Sequence, residues 1–412
     1  MILDVYLTFP NADEIKIGSL EFGDVFTSGR FFATFAYSRE WIENVDFFSI
    51  DPESLPASLS SIKSENLFPP LSVFQDSLPD EWGRKILIAK YGLRGSMQSL
   101  PYLLLKMGEA PLGALSFFEH GTSLIKKSFR AGNVVDVERL MNSAMRFASG
   151  DKTVDADMQK LFLNGSSPGG ARPKVLTTDG IHHWIAKFSN PSRDNGVDVV
   201  GLEFVCMILA KNAGIDVPEV RLEKMPSGNA LLVERFDISP KGGRYHMISL
   251  QTLCQERPGL YVTSYKEVAE KIRRHSGRPD EDVSRFFRQM CFNAVIGNVD
   301  DHLKNFAMLH DGSRYRLTPA FDLVPDVTNR VQHSLSFLYG FTTNGRELIE
   351  IGKSWMVDDP VSIVLDVCLS ATQINEIALG AGVFETDILS DIKQRAARFL
   401  SEIPRVVAKP RK

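Results

Sequence analysis

Residues 292 to 309 read FNAVIGNVDDHLKNFAML, a polar cluster set inside an apolar frame. Asp300 and Asn305 stand five positions apart within it. A carboxylate can orient an attacking hydroxyl, and an amide carbonyl is a hard oxygen ligand of the kind that magnesium takes. That pairing suits phosphoryl transfer, where the protein's work is largely positioning and charge neutralisation. The same residues also fit a plain helix end, with Gly297 and Asn298 as the C-cap and an acidic surface loop after them.

The interval from Asp300 to Asn305 matches the protein-kinase loop H-R-D-L-x-x-x-N, and it favours Asp300 over Asp301 as the base. Other segments follow in the order a kinase needs. NGSSPGGARPK, residues 164 to 174, supplies two glycines and two serines where backbone N–H groups could approach phosphate closely. It has neither the Walker A ending nor the Rossmann spacing, and a plain connection is the alternative. Lys187 is the one charge in the apolar run HWIAKF, as in the strand whose lysine meets the α and β phosphates, or else it is an edge lysine facing water. A helix with Glu203 comes next. LLVERFD then runs an apolar strand into Glu234, Arg235, Phe236 and Asp237, which could offer an adenine edge and a ribose carboxylate, or merely end in solvated charges. In TPAFDLVP, Asp322 occupies the position of the magnesium-binding Asp-Phe-Gly aspartate, although Phe321-Asp322-Leu323 matches it by position only and a turn former is the alternative. His302, inside the loop, could touch nucleotide phosphate or brace Asp300. His246, His275, His310 and His333 have no partner at metal-ligand spacing, and no G-x-S-x-G marks a serine hydrolase.

The elements that must carry these residues are legible from pattern. A length of 412 residues predicts more than one core. DVYLTF and RFFATFAYS read as strands of a small β module, followed by one helix in which Ser77 can cap, Pro79 suits the first turn and Gly92 can stop. Residues 140 to 250 alternate helix and strand, and from about 260 the apolar spacing turns helical. The expected fold class is α+β, two-lobed and protein-kinase-like: a β-rich module over 1–110, a mixed α/β nucleotide-binding lobe over 111–255 and an all-helical catalytic lobe over 256–412. A net charge of -4 gives no field for binding nucleic acid directly. No apolar run reaches membrane-spanning length and no signal segment precedes the first strand, so a cytoplasmic protein with no membrane partner is expected. The four cysteines, Cys206, Cys254, Cys291 and Cys368, show no CxxC pairing and read as buried thiols.

In these motifs the chain resembles the HipA family of bacterial toxin kinases. FGDVFTSGRFFATFAYSREWI and FPPLSVFQDSLPDEWGRKILIAKYG resemble its N-terminal module, while GSSPGGARPKVL, HWIAKF, LLVERFD, GNVDDHLKNFAML and RLTPAFDLVP follow its catalytic part in order. The resemblance implies ATP and Mg2+ as cofactors, Asp300 as base, and Asn305 and Asp322 as metal ligands. It implies nucleotide contacts from Gly169, Gly170, Ala171, Arg172, Pro173, Lys174, Lys187, Glu234, Arg235, Phe236, Asp237, His302, Lys304 and Asn305. It also implies autophosphorylation at Ser167 or Ser166, with Ser167 favoured by counting back from Lys174. Asp301, where a neutral residue would be usual, leaves open which acid works. The implied activity is a serine/threonine protein kinase, the toxin of a toxin–antitoxin pair, that arrests growth by phosphorylating a translation protein such as an aminoacyl-tRNA synthetase. The implied partners are that protein substrate and a helix-turn-helix antitoxin like HipB, with operator DNA reached only through the antitoxin. A small-molecule phosphotransferase on the same fold and a catalytically idle co-repressor are the competing readings.

Overall fold

Period-two burial builds the N-terminal sheet: Leu3, Val5 and Leu7 on β1 (Ile2–Thr8) and Ala33, Phe35 and Tyr37 on β3 (Phe32–Tyr37) are buried, the alternation a half-solvated antiparallel sheet requires. The structure is a computed structural model that describes residues 1–24, 26, 30–107, 112–122, 137–151, 155–164, 172–189, 194, 196–261 and 263–403. With β2 (Glu14–Phe22), β4 (Ile62–Glu65) and β5 (Leu115–Glu119) these strands form an antiparallel sheet of order β4-β3-β2-β1-β5.

Helix α1 (Glu81–Tyr91) follows, and α2 (Leu100–Met107) after it. Gly92 closes α1 at φ +59°, as expected, but the start differs: Asp80 is the N-cap, and Ser77 instead ends a one-turn helix, Val73–Asp76. Pro79 accounts for the break, because the residue before a proline is pushed out of the helical region.

The mixed region contributes α3 (Val137–Ala148), α4 (Ala156–Asn164) and a second antiparallel sheet of order β6-β7-β9-β8, made of β6 (Lys174–Thr178), β7 (His183–Phe188), β8 (Val220–Met225) and β9 (Gly228–Glu234). One face of it carries Val175, Trp184, Ala186, Phe188, Ala230 and Leu232, which pack with Trp82 and Ile86 of α1 and with α3 and α4 in a single apolar core. Trp82 also donates its indole N–H to the backbone oxygen of Lys174 at 2.9 Å, fixing the helix against β6.

A third sheet corrects the expectation of an all-helical last third. Strand β10 (His246–Ser249) pairs with β11 (Ala307–His310), and β11 with β12 (Tyr315–Leu317). The hairpin turns at Asp311-Gly312, where the Asp311 carboxylate accepts the N–H groups of Ser313 and Arg314. RYRL reads as a strand from sequence, whereas AMLH is too short and too apolar to separate from a helix.

The chain divides into two compact units: Met1–Gly196 with Pro218–Tyr261 and Phe306–Thr318, and Val197–Val217 with Val262–Asn305 and Pro319–Lys412. They interleave in sequence, so boundaries after 110 and 255 do not mark them. The first holds all three sheets. The second is helical: α5 (Val199–Asn212), α6 (Tyr265–His275), α7 (Pro279–Ile296), α8 (Gly345–Ser354), α9 (Pro360–Thr372), α10 (Ile374–Ala381) and α11 (Thr386–Glu402). α7 is its axis, with Phe286, Phe287, Met290, Cys291 and Val295 buried. All four cysteines are buried. Among the described residues no single helix is long and apolar enough to cross a membrane; α9 and α10 pass that test only when taken together across a 44° bend.

Trp82→Phe keeps the ring but leaves the Lys174 carbonyl without its buried donor. It should cost about 1–3 kcal/mol, read as a lower urea midpoint with unchanged slope.

Candidate active site

The loop that carries Asp300 starts where α7 stops. Gly297 adopts φ +74°, and both its N–H and that of Asn298 return to the Asn293 oxygen, at 3.0 and 2.9 Å. The left-handed backbone is what calls for glycine here; a Cβ would also come to 2.5 Å from the flexible end of the Arg395 side chain. The C-cap reading is therefore right for Gly297, but the segment beyond it is not a solvated acidic turn.

Asp300 and Asp301 have opposite fates. The Asp301 side chain is fully buried, and it accepts from the Tyr265 hydroxyl, from His333 Nδ1 at 2.7 Å and from the Ser334 N–H at 2.7 Å. Burial, reinforced by the adjacent Asp301 carboxylate, pushes the Tyr265 hydroxyl well above its ordinary pKa and keeps it a donor. Ser334 adds a bond from its hydroxyl to the Val299 oxygen at 3.0 Å. The Asp300 side chain is 59% exposed, with Arg330 Nη1 3.7 Å from Oδ1 and His302 Nε2 4.0 Å from Oδ2. The acid left facing outward is Asp300.

Asn305 closes the loop. Its side-chain N–H donates to the backbone oxygen of Asp300 at 2.8 Å, and its main-chain N–H to the His302 oxygen at 2.9 Å, in the single 3-10 turn Leu303–Asn305 that also exposes Lys304. With Nδ2 committed, the amide oxygen is the atom left to act as a ligand. Asp322 lies at φ +57°, left-handed backbone that costs a non-glycine residue of order 1 kcal/mol and that clusters at functional sites. Asn298 braces it through a 3.2 Å bond from Nδ2 to its carbonyl. The next turn is held by Asp326, whose N–H donates to the Gly297 oxygen and whose carboxylate accepts from the Thr328 N–H and from Nε and the N–H of Arg330.

The other candidates stand in the first unit. Gly169, Gly170, Ala171, Ser166 and Ser167 lie outside the described residues. Arg172 donates Nε to the buried Asp194 at 3.0 Å, and Pro173 accepts the Phe188 N–H. Lys174 and Lys187 are direct partners across β6 and β7, so both side chains leave the same face of the sheet, the one opposite Trp184 and Phe188. Lys174 is buried and Lys187 half-buried there. Glu234 accepts a hydrogen bond from His182 Nδ1 at 2.6 Å, and Phe236 is half-buried in the turn beyond β9.

Arg235 and Asp237 differ from expectation. Their side chains are 1% and 2% exposed and meet in a two-pronged pair at 3.0 and 2.6 Å, and Asp237 also accepts the Gly113 N–H at 2.9 Å. Burial alone would raise the Asp237 pKa, yet the Arg235 guanidinium holds it below the ordinary carboxylate range. This is a structural clasp, at odds with a ribose contact from Asp237 or an adenine contact from the Arg235 side chain.

Among the described residues no three His, Cys, Asp or Glu side chains converge as a metal site. Magnesium does not need them: it is held by one or two protein oxygens, with phosphate and water completing the shell, and the Asn305 amide oxygen with the Asp322 carboxylate is a donor set of that kind. What sequence reading misses is the Tyr265, His333 and Ser334 net around Asp301, and Arg330. Nothing in their spacing links them.

Asp301→Ala strands three buried donors and should destabilise by about 3–5 kcal/mol, whereas Asp300→Ala should change stability by less than about 0.5 kcal/mol. Arg235→Ala leaves Asp237 buried and unpaired, with an expected loss of about 3–5 kcal/mol. Chemical denaturation of the three variants measures all of these.

The chain is similar to known families and structures. The model described as the HipA-like C-terminal domain matches residues 166–374. The model described as the HipA N-terminal domain matches residues 12–118. Y4mE of Sinorhizobium fredii, a kinase by provisional name, is 27% identical over 326 residues, 71% of this chain and 72% of its own. Toxin YjjJ of Escherichia coli is 26% identical over 176 residues, 40% of this chain and 39% of its own. A chain in the solved complex of the Shewanella oneidensis MR-1 toxin–antitoxin system HipA, HipB and its operator DNA shares the fold, with a TM-score of 0.67 at 18% identity over 97% of both chains. The C-terminal-domain model alone spans half of the sequence, and the chain belongs to the HipA family.

Proposed function

We propose that this chain is a magnesium-dependent serine/threonine protein kinase, the toxin of a toxin–antitoxin pair, acting in the cytoplasm. The observation that carries the reading is the split between adjacent acids: Asp301 buried among three donors, Asp300 turned outward with Asn305 tied to its carbonyl. An acidic surface turn has no need of that division.

In this reading Asp300 orients the acceptor hydroxyl and takes up its proton as the new oxygen–phosphorus bond forms and ADP departs. Asn305 through its amide oxygen and Asp322 through its carboxylate would hold magnesium, which neutralises charge on the phosphate oxygens. Lys174 and Lys187, paired on one sheet face, attract the nucleotide phosphates. His302 and Lys304 flank the base on the same loop, and Glu234 and Phe236 at the end of β9 are the candidates for the adenine edge. A phosphate on Ser167 or Ser166 would add roughly -1.5 to -2 charges to a loop that receives ATP phosphates, and so would weaken ATP binding. Kinase and toxin names among the relatives, and HipB with operator DNA in the related complex, support a helix-turn-helix antitoxin as partner. The substrate class carried by the family resemblance is a translation protein such as an aminoacyl-tRNA synthetase.

The test is intact-protein mass after the dephosphorylated full chain is incubated with ATP and magnesium. The expected result is a gain of one phosphate at Ser166 or Ser167, slowed about 10²–10⁴-fold in Asp300→Ala. No gain together with no ATP binding would leave an idle co-repressor.

A further inference from the structure

The second unit contains a cavity of about 530 Å³ with Arg330 on its wall, and Arg330 reaches to 3.7 Å from Asp300. Arg395 and Arg398, three positions apart on α11, line the same cavity with His333 and Val331, against a single carboxylate from Glu402. That carboxylate is already engaged by the Gly345 N–H at 2.8 Å. Arg330 is also held by the Asp326 carboxylate at 3.0 Å, so the positive excess of the cavity rests mainly on Arg395 and Arg398. Burial lowers the Arg395 pKa, which means its charge is poorly solvated where it stands and an incoming anion would relieve it. Arg398 holds its guanidinium over the Phe399 ring and remains exposed. Along the neighbouring segment Val331, Leu338, Tyr339 and Phe341 expose 73%, 49%, 77% and 40% of their surfaces.

Resting on the kinase reading above, we propose that this cavity binds an acidic stretch of the protein acceptor beside its target hydroxyl, with Arg330, Arg395 and Arg398 taking the carboxylates and the exposed apolar residues taking its flanks. The arginines select charge, and the continuity from Arg330 to Asp300 places the selected segment next to the base. Nucleic acid is disfavoured as the occupant: the site offers three arginines and no basic stripe, on a chain of net charge -4.

Short fluorescent peptides that share one sequence around a serine, with acidic, neutral or basic flanks, provide the test. Their affinity for the full chain is read by anisotropy, and phosphoryl transfer to each is followed in parallel. The acidic peptide should bind about ten-fold more tightly than the neutral one, with an advantage that shrinks as salt rises. Arg398→Glu, on an exposed position, should reverse the preference toward the basic peptide, and Arg330→Gln should weaken it independently. Equal affinities across the three peptides, a preference untouched by both variants, or displacement of the acidic peptide by single-stranded RNA would overturn the inference. Transfer without charge preference would sink the pocket and leave the kinase, whereas acidic preference in binding with no transfer to any substrate would keep the pocket and sink the kinase.

Discussion

A carboxylate removed from water is tolerated only when its lone pairs are filled, and the buried Asp301 sets that condition for the whole loop that carries Asp300. Its donors come from the first turn of α6 and from residues 333 and 334, far apart in sequence, so one side chain ties three stretches of backbone together. Because Asp301 must point inward, the loop around it is fixed and Asp300 projects the other way. The exposure of the base candidate is thus a consequence of the burial of its neighbour.

The rest of the helical unit serves that constraint. α7 delivers the loop on a buried apolar face and ends at a glycine whose left-handed backbone other residues adopt only under strain. Asn298 and Asp326 then stitch the loop to the backbone around Asp322 and Gly297, and Asp326 also holds Arg330. Most of these bonds engage the backbone, which fixes main-chain paths more firmly than pairs of flexible side chains do. In the first unit the equivalent task falls to Trp82 and to the Arg235–Asp237 clasp, which anchor the ends of the strands that present Lys174 and Lys187.

Much of this was legible beforehand. The three-and-four spacing of the late segments, the strand patterns of DVYLTF and HWIAKF, and the glycines at 92 and 297 all name elements that the structure contains, because helix and strand periodicity and left-handed caps are local properties. Where reading failed, the deciding forces were not local. AMLH became a strand because β10 and β12 flank it, and α1 began late because of a single proline. Arg235 and Asp237, two residues apart at a strand end, read in sequence as nucleotide contacts or as solvated charges, and in the structure they form a buried pair to which Gly113 adds an N–H.

By itself the sequence determined the order of the motifs, the five-residue interval from Asp300 to Asn305 and the place of Asp322 after it, since these are properties of the covalent chain. That interval favoured Asp300 over Asp301 as the base, but nothing in it says what the second aspartate does. Only the tertiary structure decided that, because burial and donors contributed by Tyr265, His333 and Ser334 are facts about neighbours in space, and desolvation acts on whichever carboxylate those neighbours enclose.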